Sequence, residues 1–252
     1  MSAASDQPDT MATDAGDRGA AAAAPTPEPV AVNLPGPSPW CDLRWSVLSE
    51  PRTRRKARVL VASGPAGRVV CKDFSDVARR RRFGLSWRWR MRNEVAALAA
   101  LRGLPGVPEL LASWPTGLVM RWVPGRPLGR LQKQLPDGVF DRLDELLDSI
   151  HARGVAITDL HRLNILVAED GTVHIVDFEL ALRAGHGPGR LFKGWAASMD
   201  EHAASRQRRR HGVPLTARQE QLLDRPPTGR RALKALKRGI RSAKLAVLGR
   251  RH

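Results

Sequence analysis

Residues 154–182 read GVAITDLHRLNILVAEDGTVHIVDFELAL, and the fold follows from where Asp159, Asn164 and Asp177 fall within this run. The stretch holds five carboxylates and one of the chain's three asparagines, among residues that are mostly apolar or turn-forming. Its pattern predicts two short strands, NILVA and VHIVDF, joined by the turn EDGT. Asp159 then lies in the loop after a helix, Asn164 at the start of the first strand and Asp177 at the end of its partner. All three converge at one end of the hairpin. Two carboxylates and an amide oxygen make a hard, all-oxygen donor set, which suits Mg²⁺ together with the oxygens of a substrate phosphate. Glu169 and Asp170 in EDGT read as ordinary turn residues.

Working outward, GVFDRLDELLDSIHARG before the run is a helix, with Phe140, Leu143, Leu146, Leu147 and Ile150 at helical spacing and Gly154 as its stop. LVMRWV upstream of that reads as a strand. NEVAALAALRGL is a second helix, with Val95, Leu98 and Leu101 on one face and Gly103 near its stop. WCDLRWSVL, RKARVLVA and RVVCKDF, the last two separated by the turn SGPAG, predict a three-stranded antiparallel start. The strand VVCK ends in Lys72, and Glu94 in RNEV stands on the helix that follows. A phosphoryl-transfer site needs a cation on the nucleotide phosphates, and a mobile lysine needs a carboxylate to hold it in position.

Lys72 in VVCK, Glu94, D-L-x-x-x-N over Asp159 to Asn164, and D-F at Asp177 and Phe178 together resemble the protein-kinase signature set, in order and with similar spacing. The resemblance covers roughly residues 40–182. It implies a two-lobed α+β protein-kinase-like fold with an antiparallel-sheet N-lobe and a mainly helical C-lobe. It implies ATP and Mg²⁺ as cofactors, with Lys72 on the α/β-phosphates, Glu94 positioning Lys72, Asn164 and Asp177 on the metal, and Asp159 as base for the attacking hydroxyl. Val70 is then part of the adenine ceiling, and the backbone of Arg121 to Val123 contacts the adenine edge. The finer pattern departs from typical eukaryotic protein kinases: Ile157 and Thr158 precede Asp159, His161 stands where those kinases carry Lys, Glu179 replaces the Gly after D-F, and no A-P-E element follows. DLHRLN is similar to small-molecule phosphotransferases of the aminoglycoside and choline kinase type. GLPGVPELL, W-V-P-G-R-P-L and the compact size resemble the bacterial lipopolysaccharide core kinase and RIO-like branch of the superfamily. The loop SEPRTRRK between the first two strands has no glycine, so Arg52, Arg54, Arg55 or Lys56 would have to meet phosphates with side chains, unless the loop is simply a solvated basic tip.

The 252 residues suffice for one two-lobed domain with tails, which divides as a disordered Ala/Pro-rich tail over 1–39, an N-lobe over 40–121, a C-lobe over 122–202 and a basic extension over 203–252. A formal charge of +17 points to a polyanionic partner or surface. Two isolated cysteines give neither a zinc site nor a disulfide framework, and no run approaches the roughly 18 apolar residues of a spanning helix. The expectation is a cytoplasmic protein. Two stretches extend it. RRRRFGLSWRWRMR, residues 79–92, mixes arginines with Phe83, Trp87 and Trp89, which suits a membrane interface, stacking on nucleic-acid bases, or tryptophans packed in the small lobe. RRALKALKRGIRSAKLAVLGRR sets Leu233, Leu236, Ile240, Ala243 and Val247 on one helical face and Arg231, Lys234, Arg238 and Arg241 on the other, a basic amphipathic helix for the inner face of the cytoplasmic membrane or for docking on the protein's own surface. The expected acceptor is a hydroxyl of a sugar or lipid-linked glycan. A RIO-like serine/threonine protein kinase is the rival enzyme, and a non-catalytic RNA- or membrane-binding protein on a kinase scaffold is the rival of another class.

Overall fold

A computed structural model describes residues 34, 36–50, 56–64, 67–79, 86–131, 135–184 and 193–227. The first lobe is a five-stranded antiparallel sheet of β1 (Ser46–Ser49), β2 (Arg58–Gly64), β3 (Gly67–Asp73), β4 (Leu110–Trp114) and β5 (Gly117–Arg121), in the order β1-β2-β3-β5-β4. Both faces of its centre are covered, which is why these strands read as apolar runs instead of alternating ones. Val69, Cys71, Leu60, Ala62 and Val119 pack under Trp45 and Leu34 on one face. Val70 and Lys72 of β3 point to the other, opposite Val61 and Val59 of β2 and Met120 and Leu118 of β5.

That second face is closed by α2 (Ser86–Ala100), preceded by the short α1 (Ser75–Arg79). Buried Asp73 accepts from the backbone N–H of Ser75 at 2.9 Å and from its hydroxyl at 3.0 Å, and pairs with Arg58 at 3.0 Å. The sequence reading began the second helix at Asn93; the structure begins it two turns earlier. Trp87, Met91, Glu94, Leu98 and then Leu101 recur at helical spacing and are buried, a stripe that the surrounding arginines hide in the sequence. Trp87 stacks on Phe74 with ring centroids 5.9 Å apart, whereas Trp89 is 54% exposed. The Trp/Arg stretch therefore divides: one indole belongs to the core and the other faces solvent, beside exposed Arg88 and Arg92.

The second lobe is built on α3 (Val139–Ala152), which buries Val139, Phe140, Leu143, Leu146, Leu147 and Ile150. β6 (Arg126–Pro127), β8 (Ile165–Val167) and β9 (Val173–Ile175) form a small antiparallel sheet, and β7 (Val155–Ala156) pairs with β10 (Leu182–Arg183). In the EDGT turn Asp170 accepts from the backbone N–H and hydroxyl of Thr172, both at 2.8 Å. Two glycines allow the chain to press onto this hairpin. Gly106, with φ +84°, accepts from the Ile175 N–H at 2.8 Å, and Gly125, with φ +120°, lies where a Cβ would come 2.8 Å from the Val167 carbonyl carbon. α4 (Lys193–Arg210) packs on α3 and α5 (Ala217–Asp224) packs on α4. α4 runs on through residue 203, where the sequence reading placed the start of the basic extension. Its Arg208 is buried and pairs with Asp141 and Asp144. The 1–33 portion of the expected tail and the proposed amphipathic helix lie outside the described residues, as do residues 51–55 of the glycine-free loop.

Candidate active site

Lys72 emerges from β3 on the face that looks to α2, and its Nζ lies 2.7 and 2.9 Å from the two carboxylate oxygens of Glu94. The same Nζ is 3.1 Å from Asp177 Oδ1 and 3.6 Å from Glu179 Oε1. Glu94 is fully buried, and its Oε1 also accepts from the Phe178 N–H at 3.3 Å. Three carboxylates thus surround one ammonium, with Arg90 of α2 adding a second cation 3.6 Å from Glu179. The electrostatics follow. Burial pushes the Glu94 carboxyl up, to about 7, against the pull of Lys72 and with the push of Asp177 and Glu179. Burial opposes the charge of Lys72, yet Asp177, Glu94 and Glu179 hold it well above the ordinary lysine range. Asp177 is held below the carboxylate range because Lys72 and the Glu179 N–H outweigh its own desolvation.

The donor set tests the metal assignment. Both Glu94 oxygens are committed to Lys72 and Glu179 faces Lys72 and Arg90, so the ammonium is the cation of the three-carboxylate cluster. Asp177 shares Lys72 through Oδ1 alone and has its side chain 39% exposed, so its second oxygen, with the amide oxygen of Asn164, is a hard donor of the kind Mg²⁺ takes. Asn164 is buried just before β8. Its N–H donates to the His161 carbonyl at 2.8 Å, its Nδ2 to the Asp159 carbonyl at 3.4 Å, and its own carbonyl accepts from the Val176 N–H at 2.9 Å. One residue therefore ties the loop of Asp159 to the strand end of Asp177. Asp177 itself sits past the end of β9, not within it, at φ +73°.

The exposed Asp159 follows Thr158, a β-branched residue at φ +60°. Such a conformation costs on the order of 1–3 kcal/mol and persists only where the surroundings enforce it. Asp200 of α4 enforces it. Its buried carboxylate accepts from the Ile157 N–H at 2.7 Å, from the Thr158 N–H at 2.8 Å and from His151 Nε2 at 3.0 Å. Thr158 Oγ1 then donates to the Leu180 carbonyl at 2.7 Å. Sequence reasoning missed Asp200, which has no local motif, and missed the ion-pairing role of Glu179, which was visible as the residue in place of a Gly.

The adenine-edge expectation is corrected in part. The Arg121 N–H is bonded to the Glu109 carbonyl at 2.8 Å and the Trp122 N–H to the Arg68 carbonyl at 2.9 Å, because β5 continues its ladder contacts to this point. Neither N–H remains for a base. Val70 does share the face of Lys72. Lys56, at the end of the glycine-free loop, adds to the cations that lower the proton affinity of Asp177.

The order of elements and the sheet topology define the class: a two-lobed α+β chain of protein-kinase-like fold. A solved structure of the Rio2 kinase from Chaetomium thermophilum, in an ADP/Mg²⁺-phosphoaspartate complex, has a TM-score of 0.53 to this chain at 23% identity, covering 81% of this chain and 73% of that one. No protein-family model matches the chain. Among curated proteins, the probable SapB synthase of Streptomyces coelicolor is 31% identical over 152 residues, 51% of this chain but 15% of that protein. The probable cAMP-dependent protein kinase catalytic subunit of Encephalitozoon cuniculi is 28% identical over 133 residues, 48% of this chain and 40% of that protein. The chain thus spans less than half the length of either relative. The Rio2 likeness shows the protein-kinase-like fold, the similarity to a curated protein kinase agrees with it, and none of these likenesses singles out the lipopolysaccharide core kinase branch.

Proposed function

We propose that this chain is an ATP- and Mg²⁺-dependent phosphotransferase that moves a γ-phosphoryl group to a hydroxyl acceptor. The observation that carries the reading is Lys72 Nζ at 2.7 Å from Glu94 and 3.1 Å from Asp177, in the fold that sets the Asp159–Asn164 loop beside them. Lys72 binds the α/β-phosphates, and Glu94 keeps its ammonium in place when the nucleotide enters. Val70 covers the adenine. Asn164 and Asp177 hold Mg²⁺, which supplies charge neutralisation on the phosphates. Asp159, exposed at the loop, orients the acceptor hydroxyl and takes its proton. The N-lobe over 40–121 and a C-lobe that begins at 122 and includes the whole of α4 carry this machinery. A binding scaffold alone would need neither the metal pair nor the base.

For the acceptor, the favoured reading is a sugar or lipid-linked glycan at the inner membrane face. Its support is the exposed Trp89 flanked by Arg88 and Arg92, a combination suited to an anionic interface, together with the basic C-terminal sequence. A second reading, a RIO-like serine/threonine protein kinase, is favoured by the likeness to the Rio2 structure and by a protein kinase among the curated relatives. The deciding experiment is ATP turnover by the purified protein against separated membrane-lipid, glycan, protein and RNA fractions, with Asp159→Asn as control. Turnover confined to the glycan or lipid fraction and lost in the control supports the first reading. Labelling of protein alone selects the second. Failure to bind or turn over Mg²⁺-ATP at all overturns both.

A further inference from the structure

Asn93 stands one residue before Glu94 on α2, and no part of the mechanism above uses it. Its Nδ2 donates to the Glu179 carbonyl at 3.1 Å and to the Ala181 carbonyl at 2.7 Å. Facing two acceptors, that position must be the NH₂ and not the oxygen of the amide. The carbonyl between them, of Leu180, accepts from Thr158 Oγ1 at 2.7 Å, and the next two residues, Leu182 and Arg183, pair with β7. The segment 179–183 is therefore a strap fixed on alternating sides, by α2 of the first lobe and by the residue that precedes Asp159 in the second. From Phe178 to Phe192 the sequence contains no Ser, Thr or Tyr, so the stretch between Asp177 and α4 offers no hydroxyl for phosphorylation.

We propose that Asn93 is a positioning residue that latches α2 to this strap and so keeps Glu94 on Lys72 in the unmodified protein, with no phosphorylation step. The idea rests on the phosphotransfer reading for its consequence, and on the strap geometry for the latch itself. Two hydrogen bonds from one amide make the helix register depend on a donor at this position. Shape alone is not enough: an isosteric carboxylate would face two carbonyl oxygens and repel them.

The test compares Asn93→Ala with Asn93→Asp in the full chain, reading amide hydrogen exchange without nucleotide and ATP turnover with Mg²⁺. Exchange over residues 86–100 and 179–183 should accelerate in both variants, more in Asn93→Asp. kcat/KM for ATP should fall about tenfold for Asn93→Ala and about a hundredfold for Asn93→Asp, as loss of one donor and its replacement by a repelling group imply. In a Glu94→Gln background the further loss from Asn93→Ala should shrink to less than about threefold, because neighbours acting through one group are not additive. A mere packing role predicts that Asn93→Asp, equal in shape, matches the wild type in exchange and turnover, and that result overturns the latch. If the wild type transfers no phosphoryl group but the exchange ranking holds, the latch stands and the phosphotransfer reading falls.

Discussion

Asp177 occupies a left-handed backbone conformation that Asn tolerates as well as Asp does, so Asp177→Asn removes the charge without adding strain, whereas Asp177→Ala would confound the two. Asp177→Asn is expected to abolish Mg²⁺-dependent turnover in a folded protein, and a titration of Mg²⁺ against ATP binding checks it. Asp159→Asn should lower kcat by roughly 10² to 10⁴-fold while leaving Mg²⁺-ATP affinity nearly intact, since the residue acts on the acceptor; isothermal titration beside turnover separates the two effects. Glu94 makes a pH prediction with two opposite signs. Its carboxyl is pushed from 4.5 to about 7 by burial, so acidification through about 7 neutralises it and breaks its ion pair with Lys72. kcat/KM for ATP should therefore rise with pH through that range and flatten above it, and Glu94→Gln should lose this limb. Because the folded value lies above the unfolded one, the contribution of this group to stability is full below about 4.5 and declines as pH rises through about 7. Denaturant midpoints of wild type and Glu94→Gln across pH 4 to 8 should converge in acid and diverge in base.

At the scale of elements, what the sequence made legible was whatever carries its own period or local spacing. The apolar stripe of α3, the strands around VVCK and the D-L-x-x-x-N loop all announce themselves within a dozen residues, and the fold assembles Lys72, Glu94 and Asp177 from them. The start of α2 was obscured because Trp87 and Met91, which extend its buried stripe, are interleaved with arginines. Asp200 was illegible for a different reason: a buried carboxylate in a helix has no signature until the loop it serves folds against it. Its importance is testable as energy. Asp200→Asn keeps the shape but removes the charge that accepts from Ile157, Thr158 and His151, and hydrogen bonds to charged groups are worth about 1.5–3 kcal/mol each. A loss of about 3 kcal/mol in urea unfolding, with the strained Thr158 released and turnover reduced, is the expected outcome. A stability equal to wild type would mean that the loop of Thr158 and Asp159 holds its conformation unaided.

For the whole molecule, the distribution of charge bears on where the proposed phosphotransferase would act. Residues 228–252 hold nine lysines and arginines and no Asp or Glu, more than half of the net +17. α5, which ends at Asp224 shortly before this sequence begins, is anchored by the Thr216 and Gln219 capping box and by Arg218 on Glu201 at 2.8 Å. Exposed Arg88, Trp89 and Arg92 lie on the other lobe. If the tail binds an anionic leaflet at about 1 kcal/mol per basic residue, deleting 229–251 should release the protein from phosphatidylglycerol-rich vesicles while leaving turnover of a soluble acceptor largely unchanged. Trp89→Ala should weaken vesicle binding by a smaller factor, since one indole contributes beside many charges. Salt weakens both membrane and nucleic-acid binding, because screening shortens the reach of exposed charges from about 8 Å near physiological ionic strength to about 3 Å at 1 M. Competition is the measurement that separates them: excess structured RNA should leave the protein on anionic vesicles, and excess neutral phosphatidylcholine vesicles should not remove it. Displacement by RNA at stoichiometric amounts, through the same tail, would move the site of action from a membrane surface to a ribonucleoprotein and would favour the protein-kinase reading of the acceptor over the glycan one.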